Sequence, residues 1–235
     1  MIYRLYLKLR SFISNYYFLN FIFFKIYPYI RKNYKEKIIN KNSDICIEGY
    51  KRSGNTYFIS LLEYKNKKKI SIASHIHNKF QIQRAIKLNK PIIFLIRDPI
   101  MVINSAVNRN EDFDPSQLIK DYIQIYQYAY KKSDLIMFIN FKDFTNNKKI
   151  NNLLKTIQIN YPNLFNFKKF DKFDNDKIKN IVIEKDKVYL QKKSQELDHN
   201  KLSIPSQKKQ NKLLQLENLD KANKIYQSLL EKCLS

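Results

Sequence analysis

Glycine is the scarcest useful residue in this chain: only 2 of 235 residues, against an average usage of about 7%. That excludes a collagen-like or glycine-linker protein. It also disfavours a β sandwich with many tight hairpins, whose turns draw on glycine. Tryptophan is absent. The 2 cysteines, Cys46 and Cys233, make neither a disulfide framework nor a zinc spacing, which suits a reducing compartment, so a cytoplasmic location is expected. Acidic residues number 21 against 44 basic ones, a formal charge of +23. Arginine supplies 7 of those 44 and lysine the other 37, beside abundant Asn, Ile and Tyr. Such usage reads as drift in a coding sequence poor in G and C, which also depletes glycine and tryptophan. The lysines are scattered as on solvated faces, and no zinc-finger, RNA-recognition or basic-zipper pattern accompanies them, so no specific nucleic-acid partner is expected. A field of this sign favours anionic ligands or membranes.

What is present begins with material for a core. Hydrophobic residues make up 44% of the chain and aromatics 14%, enough for one domain with an appendage. The appendage is residues 1–41. Ser11 to Phe24 are 14 uncharged residues rich in Phe and Tyr, interrupted by Asn15 and Asn20 and flanked by Arg4, Lys8, Arg10, Arg31 and Lys32. A spanning helix needs about 20 apolar residues, and no small-residue cleavage site follows. The segment reads as an aromatic, basic helix that either packs on the domain or makes peripheral contact with a membrane interface. Residues 42–235 read as the single domain.

Within that domain, apolar runs alternate with segments of helical periodicity. Strands are expected over 44–49, 70–74, 91–96 and 135–141, the third being continuous and apolar as in the middle of a parallel sheet. Helices are expected over 55–64, 79–88, 100–108, 117–130, 150–159 and 213–230, with a cap near Ser116. The polar, lysine-rich stretch 166–200 carries no assignable pattern. Strand–helix alternation of this kind predicts an α/β fold, a central parallel sheet flanked by helices on both faces.

Both glycines fall in one window between the first strand and the first helix, Gly49-Tyr50-Lys51-Arg52-Ser53-Gly54-Asn55-Thr56. This is the setting of a phosphate-binding loop. N–H groups of a tight loop and a first helical turn converge on one concavity, and the helix N-terminus favours negative charge. The spacing matches G-x-x-x-x-G-K-[ST] except that Asn55 stands in place of the lysine. An ATPase or kinase without that lysine lacks a cation on the transferring phosphates. An ordinary strand-to-helix turn would not need both glycines of so glycine-poor a chain.

Residues 50–57, Tyr-Lys-Arg-Ser-Gly-Asn-Thr-Tyr, resemble the 5′-phosphosulfate loop of sulfotransferases that use 3′-phosphoadenosine 5′-phosphosulfate (PAPS). Arg52 takes the family's loop Lys/Arg position, Lys51 replaces a Pro and Asn55 a Thr. Arg97-Asp98-Pro99, with Ser105 eight residues after the arginine, resembles the family's 3′-phosphate motif. On its own that tripeptide would read as a helix start. Ile139 to Phe144 resembles, more weakly, the family's strand ending in Tyr-Glu-Asp-Leu. The three cover residues 44–160. The family's C-terminal glycine-containing loop has no counterpart, because no glycine follows Gly54.

The resemblance implies a three-layer P-loop-type fold and a PAPS-dependent sulfotransferase that needs no metal. It implies that Lys51, Arg52, Ser53, Gly54, Asn55 and Thr56 hold the 5′-phosphosulfate, Arg52 also stabilising the leaving oxygen, while Arg97 and Ser105 select the 3′-phosphate. Ser74-His75-Ile76-His77 lies where the family has Ser/Thr-His-Leu-Pro, which makes His75 the expected base and His77 its competitor. The short interval from Gly54 to His75 favours an accessible hydroxylated acceptor such as a glycan. Two alternatives stand beside this reading: a P-loop kinase or NTPase with Asp98 as Mg²⁺ ligand, and an inactive nucleotide-binding module of the same fold.

Overall fold

A computed structural model describes residues 22, 36–110, 112–167, 175–191 and 217–233; most of the aromatic N-terminal segment and the lysine-rich 192–216 lie outside them. The order is β1 (Ile45–Gly49), α1 (Asn55–Lys65), β2 (Ile72–Ser74), α2 (Lys79–Lys87), β3 (Ile92–Ile96), α3 (Pro99–Arg109), α4 (Pro115–Tyr130) and a 3₁₀ turn, Ser133–Leu135. Then come β4 (Met137–Asn140), the single turn α5 (Phe141–Phe144), α6 (Ile150–Asn160), α7 (Asn175–Gln191) and α8 (Leu219–Leu230). Helix α7 occupies part of the stretch whose sequence showed no pattern; of its residues Ile178 is wholly buried. The cap of α4 is Asp114, which accepts from Ser116 N, with Pro115 in the first turn. Of the expected strand over 135–141, Leu135 ends the 3₁₀ turn, Met137–Asn140 form β4 and Phe141 opens α5.

The four strands form one sheet, all parallel, in the order β2-β1-β3-β4. Period-two alternation divides the core in two. Ile45, Ile47, Ile93, Leu95 and Ile139 face α1, α5, α6 and α7, whereas Cys46, Ile92, Phe94, Ile96 and Phe138 face α2, α3, α4 and α8. The molecule is therefore helix, sheet, helix. Each Ile or Leu so buried contributes roughly 1.5–3 kcal/mol, and truncating the central Phe94 to Ala would cost about 3–5 kcal/mol.

Residues 36–43 close one edge. Ile38 and Ile39 are buried, and Lys37 O accepts from Ser74 N at 3.0 Å and from Gln81 Nε2 at 2.7 Å. The end of the expected appendage is thus packed on β2 and α2. None of the described helices is long and apolar enough to cross a membrane.

From β1 the chain goes to β2 on one side, then returns past β1 to β3 on the other. In open parallel sheets the carboxyl ends of the two strands at such a reversal are where ligand crevices form. Gly49 pairs with Leu95 at that end, so the residues after them, Tyr50 onward and Arg97 onward, leave the sheet side by side.

Candidate functional site

Gly49 is needed for space: a Cβ there would lie 2.5 Å from the Leu95 carbonyl oxygen and 3.0 Å from Asn55 Oδ1. Gly54 is needed for conformation, with φ +90°, and for space, since a Cβ would meet the Phe141 ring at 2.8 Å and Phe144 at 2.9 Å. Between them Tyr50, buried and edge-on to Tyr122, anchors the loop. Arg52 is itself left-handed, φ 68°.

Helix α1 starts at Gly54 with no side-chain cap and no acidic residue in its first turn, whereas Asn78, Asp98 and Asp114 cap α2, α3 and α4. Its first helical bond is Phe58 N to Gly54 O, at 2.9 Å. The preceding N–H groups at the helix start have no intrahelical acceptor, and the positive end of the helix dipole sits at the crevice.

The second motif meets this loop directly. Arg52 Nε donates to Ser105 Oγ at 3.0 Å, linking the loop after β1 with the helix after β3. Arg97 Nη1 donates to Arg52 O at 2.7 Å, and its guanidinium carbon lies 4.0 Å from the centre of the Phe141 ring. The Arg97 backbone is gripped from α4: Tyr126 Oη accepts from its N–H at 2.9 Å and Tyr122 Oη donates to its carbonyl at 2.8 Å. Those tyrosines stack with ring centres 3.8 Å apart. Burial pulls the Arg97 pKa down, opposed by Tyr126 and Asp98, and it pushes Tyr126 up to about 12. Asp98 caps α3 by accepting from Met101 N at 3.0 Å.

The histidines flank the other side of the loop. His75 sits between two hydroxyls, with Nδ1 2.7 Å from Ser74 Oγ and Nε2 3.1 Å from Thr56 Oγ1. A hydroxyl can donate or accept, so either tautomer is satisfied. His77 Nδ1 lies 2.7 Å from Gly49 O and 3.6 Å from Glu48 Oε2; facing two acceptors, it carries the proton. Asn55 Nδ2 lies 3.4 Å from the same nitrogen. Asn55 is thus folded back against Gly49 and His77, 4% exposed.

The structure therefore gathers Arg52, Gly54, Asn55, Thr56, His75, Arg97 and Ser105 at one end of the sheet. Lys51 lies 4.7 Å from the ring centre of Phe113 and 5.2 Å from that of Tyr50. Ser53 is wholly buried and gives its N–H to Tyr50 O, so it shapes the loop from beneath. Ser206, Lys208 and Lys209, which could replace the missing C-terminal loop, lie outside the described residues. No group of three His, Cys, Asp or Glu is placed to hold a metal ion among the described residues.

Sequence reading missed four participants. Glu48 had a usable signal, a carboxylate inside an otherwise buried strand. Tyr122 and Tyr126 share a helix face at i, i+4. Phe141 lies in the weakly resembling segment Ile139 to Phe144, but its contact with Arg97 depends on where Arg97 folds. Compared with protein-family models, with curated proteins and with solved structures, the chain matches none of them.

Proposed function

We propose that this chain is a PAPS-dependent sulfotransferase of three-layer P-loop-type fold, acting on a hydroxyl acceptor such as a glycan. The observation that carries the reading is the 3.0 Å bond from Arg52 to Ser105, because it joins two motifs 53 residues apart at the crevice between β1 and β3. The groups assembled there bring cations and hydrogen-bond donors from both motifs to one anionic ligand. The uncapped start of α1 and Arg52 would receive the phosphosulfate, and Arg97 with Ser105 the 3′-phosphate.

In the transfer, the acceptor oxygen attacks sulfur in line with the bridging S–O bond. That bond breaks, its electron pair stays on the 5′-phosphate oxygen, and the acceptor proton passes to His75 Nε2. Arg52 and the N–H groups of α1 offset the charge left on the phosphate. His75 is favoured over His77 as base because His77 Nδ1 is bound to Gly49 O, while His75 Nε2 points at Thr56 in the first turn of α1.

Nothing at the site favours the kinase alternative. Asn55 is turned inward where a lysine would reach for phosphate, and the Asp98 carboxylate is engaged as a cap. The test is sulfur-labelled PAPS against γ-labelled ATP as donor, beside titration with 3′-phosphoadenosine 5′-phosphate (PAP) and AMP. Label transfer from PAPS alone and a preference for PAP are expected. If Arg97→Ala and Ser105→Ala leave that preference intact, the reading fails. If His75→Ala leaves acceptor-dependent transfer unchanged, the role of His75 fails.

A further inference from the structure

We infer that Glu48 is a positioning residue: its buried carboxylate fixes the turn from His75 to His77 and so aims the His75 ring at the start of α1. The inference rests on the role proposed above for His75, but its first test does not. Glu48 is 0% exposed, a costly place for a carboxylate unless the protein supplies donors. It receives them from one short segment. Ile76 N donates to Oε1 at 2.9 Å, His77 N donates to Oε2 at 3.1 Å, and the protonated His77 Nδ1 lies 3.6 Å from Oε2.

That segment needs holding. His75 and His77 have φ of 63° and 57°, the left-handed region, which residues other than glycine keep only where their surroundings over-determine it. Parallel pairing explains why Glu48 is the residue within reach. Ser74 is level with Ile47, so the next residue along each strand brings Glu48 beside His75. The two N–H groups of the turn then point at the carboxylate, and His77 braces it through Gly49 O at 2.7 Å. The two histidines thereby divide the work. His77 and Glu48 hold the turn against β1, and the His75 ring is delivered 3.1 Å from Thr56 Oγ1.

Glu48→Gln keeps one acceptor oxygen and sets an NH₂ against the other backbone N–H, donor against donor. The first test reads the histidine rings by long-range nitrogen–proton NMR of the labelled full-length chain. The chain has 3 histidines, so His75 and His77 are assigned by single substitution. In Glu48→Gln the patterns of His75 and His77 are expected to change. The second test reads transfer from PAPS: kcat should fall roughly a hundredfold with KM for PAPS unchanged, as for a misaimed base. A wild-type His75 pattern together with wild-type kcat overturns the inference, as does a loss of PAPS binding in step with kcat.

If Glu48→Gln does not fold, His77 variants decide. His77→Asn keeps a side-chain N–H for Gly49 O and should retain most of the kcat that His77→Ala loses. Equal loss in the two overturns the bracing role. A wild-type chain inert toward PAPS would sink the sulfotransferase reading and leave the ring patterns to decide on Glu48.

Discussion

Replacing Gly49 with alanine adds one methyl group at the tightest point between the central strands. Its φ is not in the left-handed region, so the substitution carries no backbone strain and tests space alone. The new Cβ would sit 2.5 Å from Leu95 O, about 0.9 Å inside the 3.4 Å at which ordinary contact begins, and 3.1 Å from Leu95 Cβ. The obstacle is a main-chain carbonyl in a parallel ladder, so relief requires β1 and β3 to part. Overpacking of this kind costs about 1–3 kcal/mol, and a backbone obstacle places it at the upper end. For a chain of this size, about 3 kcal/mol corresponds to a fall in Tm of roughly 6–12 °C. Thermal unfolding followed by circular dichroism reads that fall. Amide exchange should show faster opening at Gly49, Leu95 and their ladder neighbours than at β4. PAP should also bind more weakly, since both loops proposed to hold it spring from these strand ends. An unchanged Tm with wild-type exchange at Leu95 would refute the close approach on which the placement of the two loops depends.

Gly54→Ala combines a left-handed φ with contact to two aromatic rings that can yield, so it should cost about 2–4 kcal/mol. Because the Phe141 ring it displaces carries Arg97, PAP affinity should fall further than in Gly49→Ala, measured by calorimetry. Arg97→Lys keeps the charge but loses the planar group that stacks on Phe141 while bonding Arg52 O. Its preference for PAP over AMP should drop roughly tenfold or more, and Arg97→Ala should lower it further. Alkaline pH offers a separate check. The folded-state pKa of Tyr126 is raised from its ordinary 10 to about 12, so its contribution is fully present below pH 10 and is lost as pH rises toward 12. Wild-type stability, read by denaturant unfolding, should therefore fall more steeply between pH 10 and pH 12 than that of Tyr126→Phe, and equal slopes in the two would contradict it.

The fold was legible wherever a segment's pattern matched its burial. Ile92 to Ile96 is an unbroken apolar run because both its faces are covered, and α1 showed its core face through Phe58, Leu61 and Leu62. The boundaries slipped where chemistry overrides pattern. Asp114 and Pro115 start α4 before its apolar stripe begins, and Asn140 turns the chain into α5 by accepting from Lys142 N. Helix α7 escaped notice because mostly polar residues surround its brief apolar patch, with Lys185 bound to Ser60 and Glu63 of α1. At the site, the family resemblance pointed to Arg52, Arg97 and Ser105, but not to their mutual contacts. Arg97 as a clamp on the loop backbone depends on distances between strands, which no linear spacing encodes. The strand order that sets β1 beside β3 is likewise a long-range property.

The inward fold of Asn55 limits how this loop can change. In a loop whose seventh position carries an outward side chain, one substitution exchanges one donor preference for another. Here an Asn55→Lys substitution would send a longer, charged chain into the space beside Gly49 and His77, next to the carboxylate of Glu48. The lysine would disturb the histidine turn before it could serve a phosphate. Conversion to an ATP-type loop would therefore need coordinated replacement of Glu48, Asn55 and His77, so the three positions should vary together or not at all.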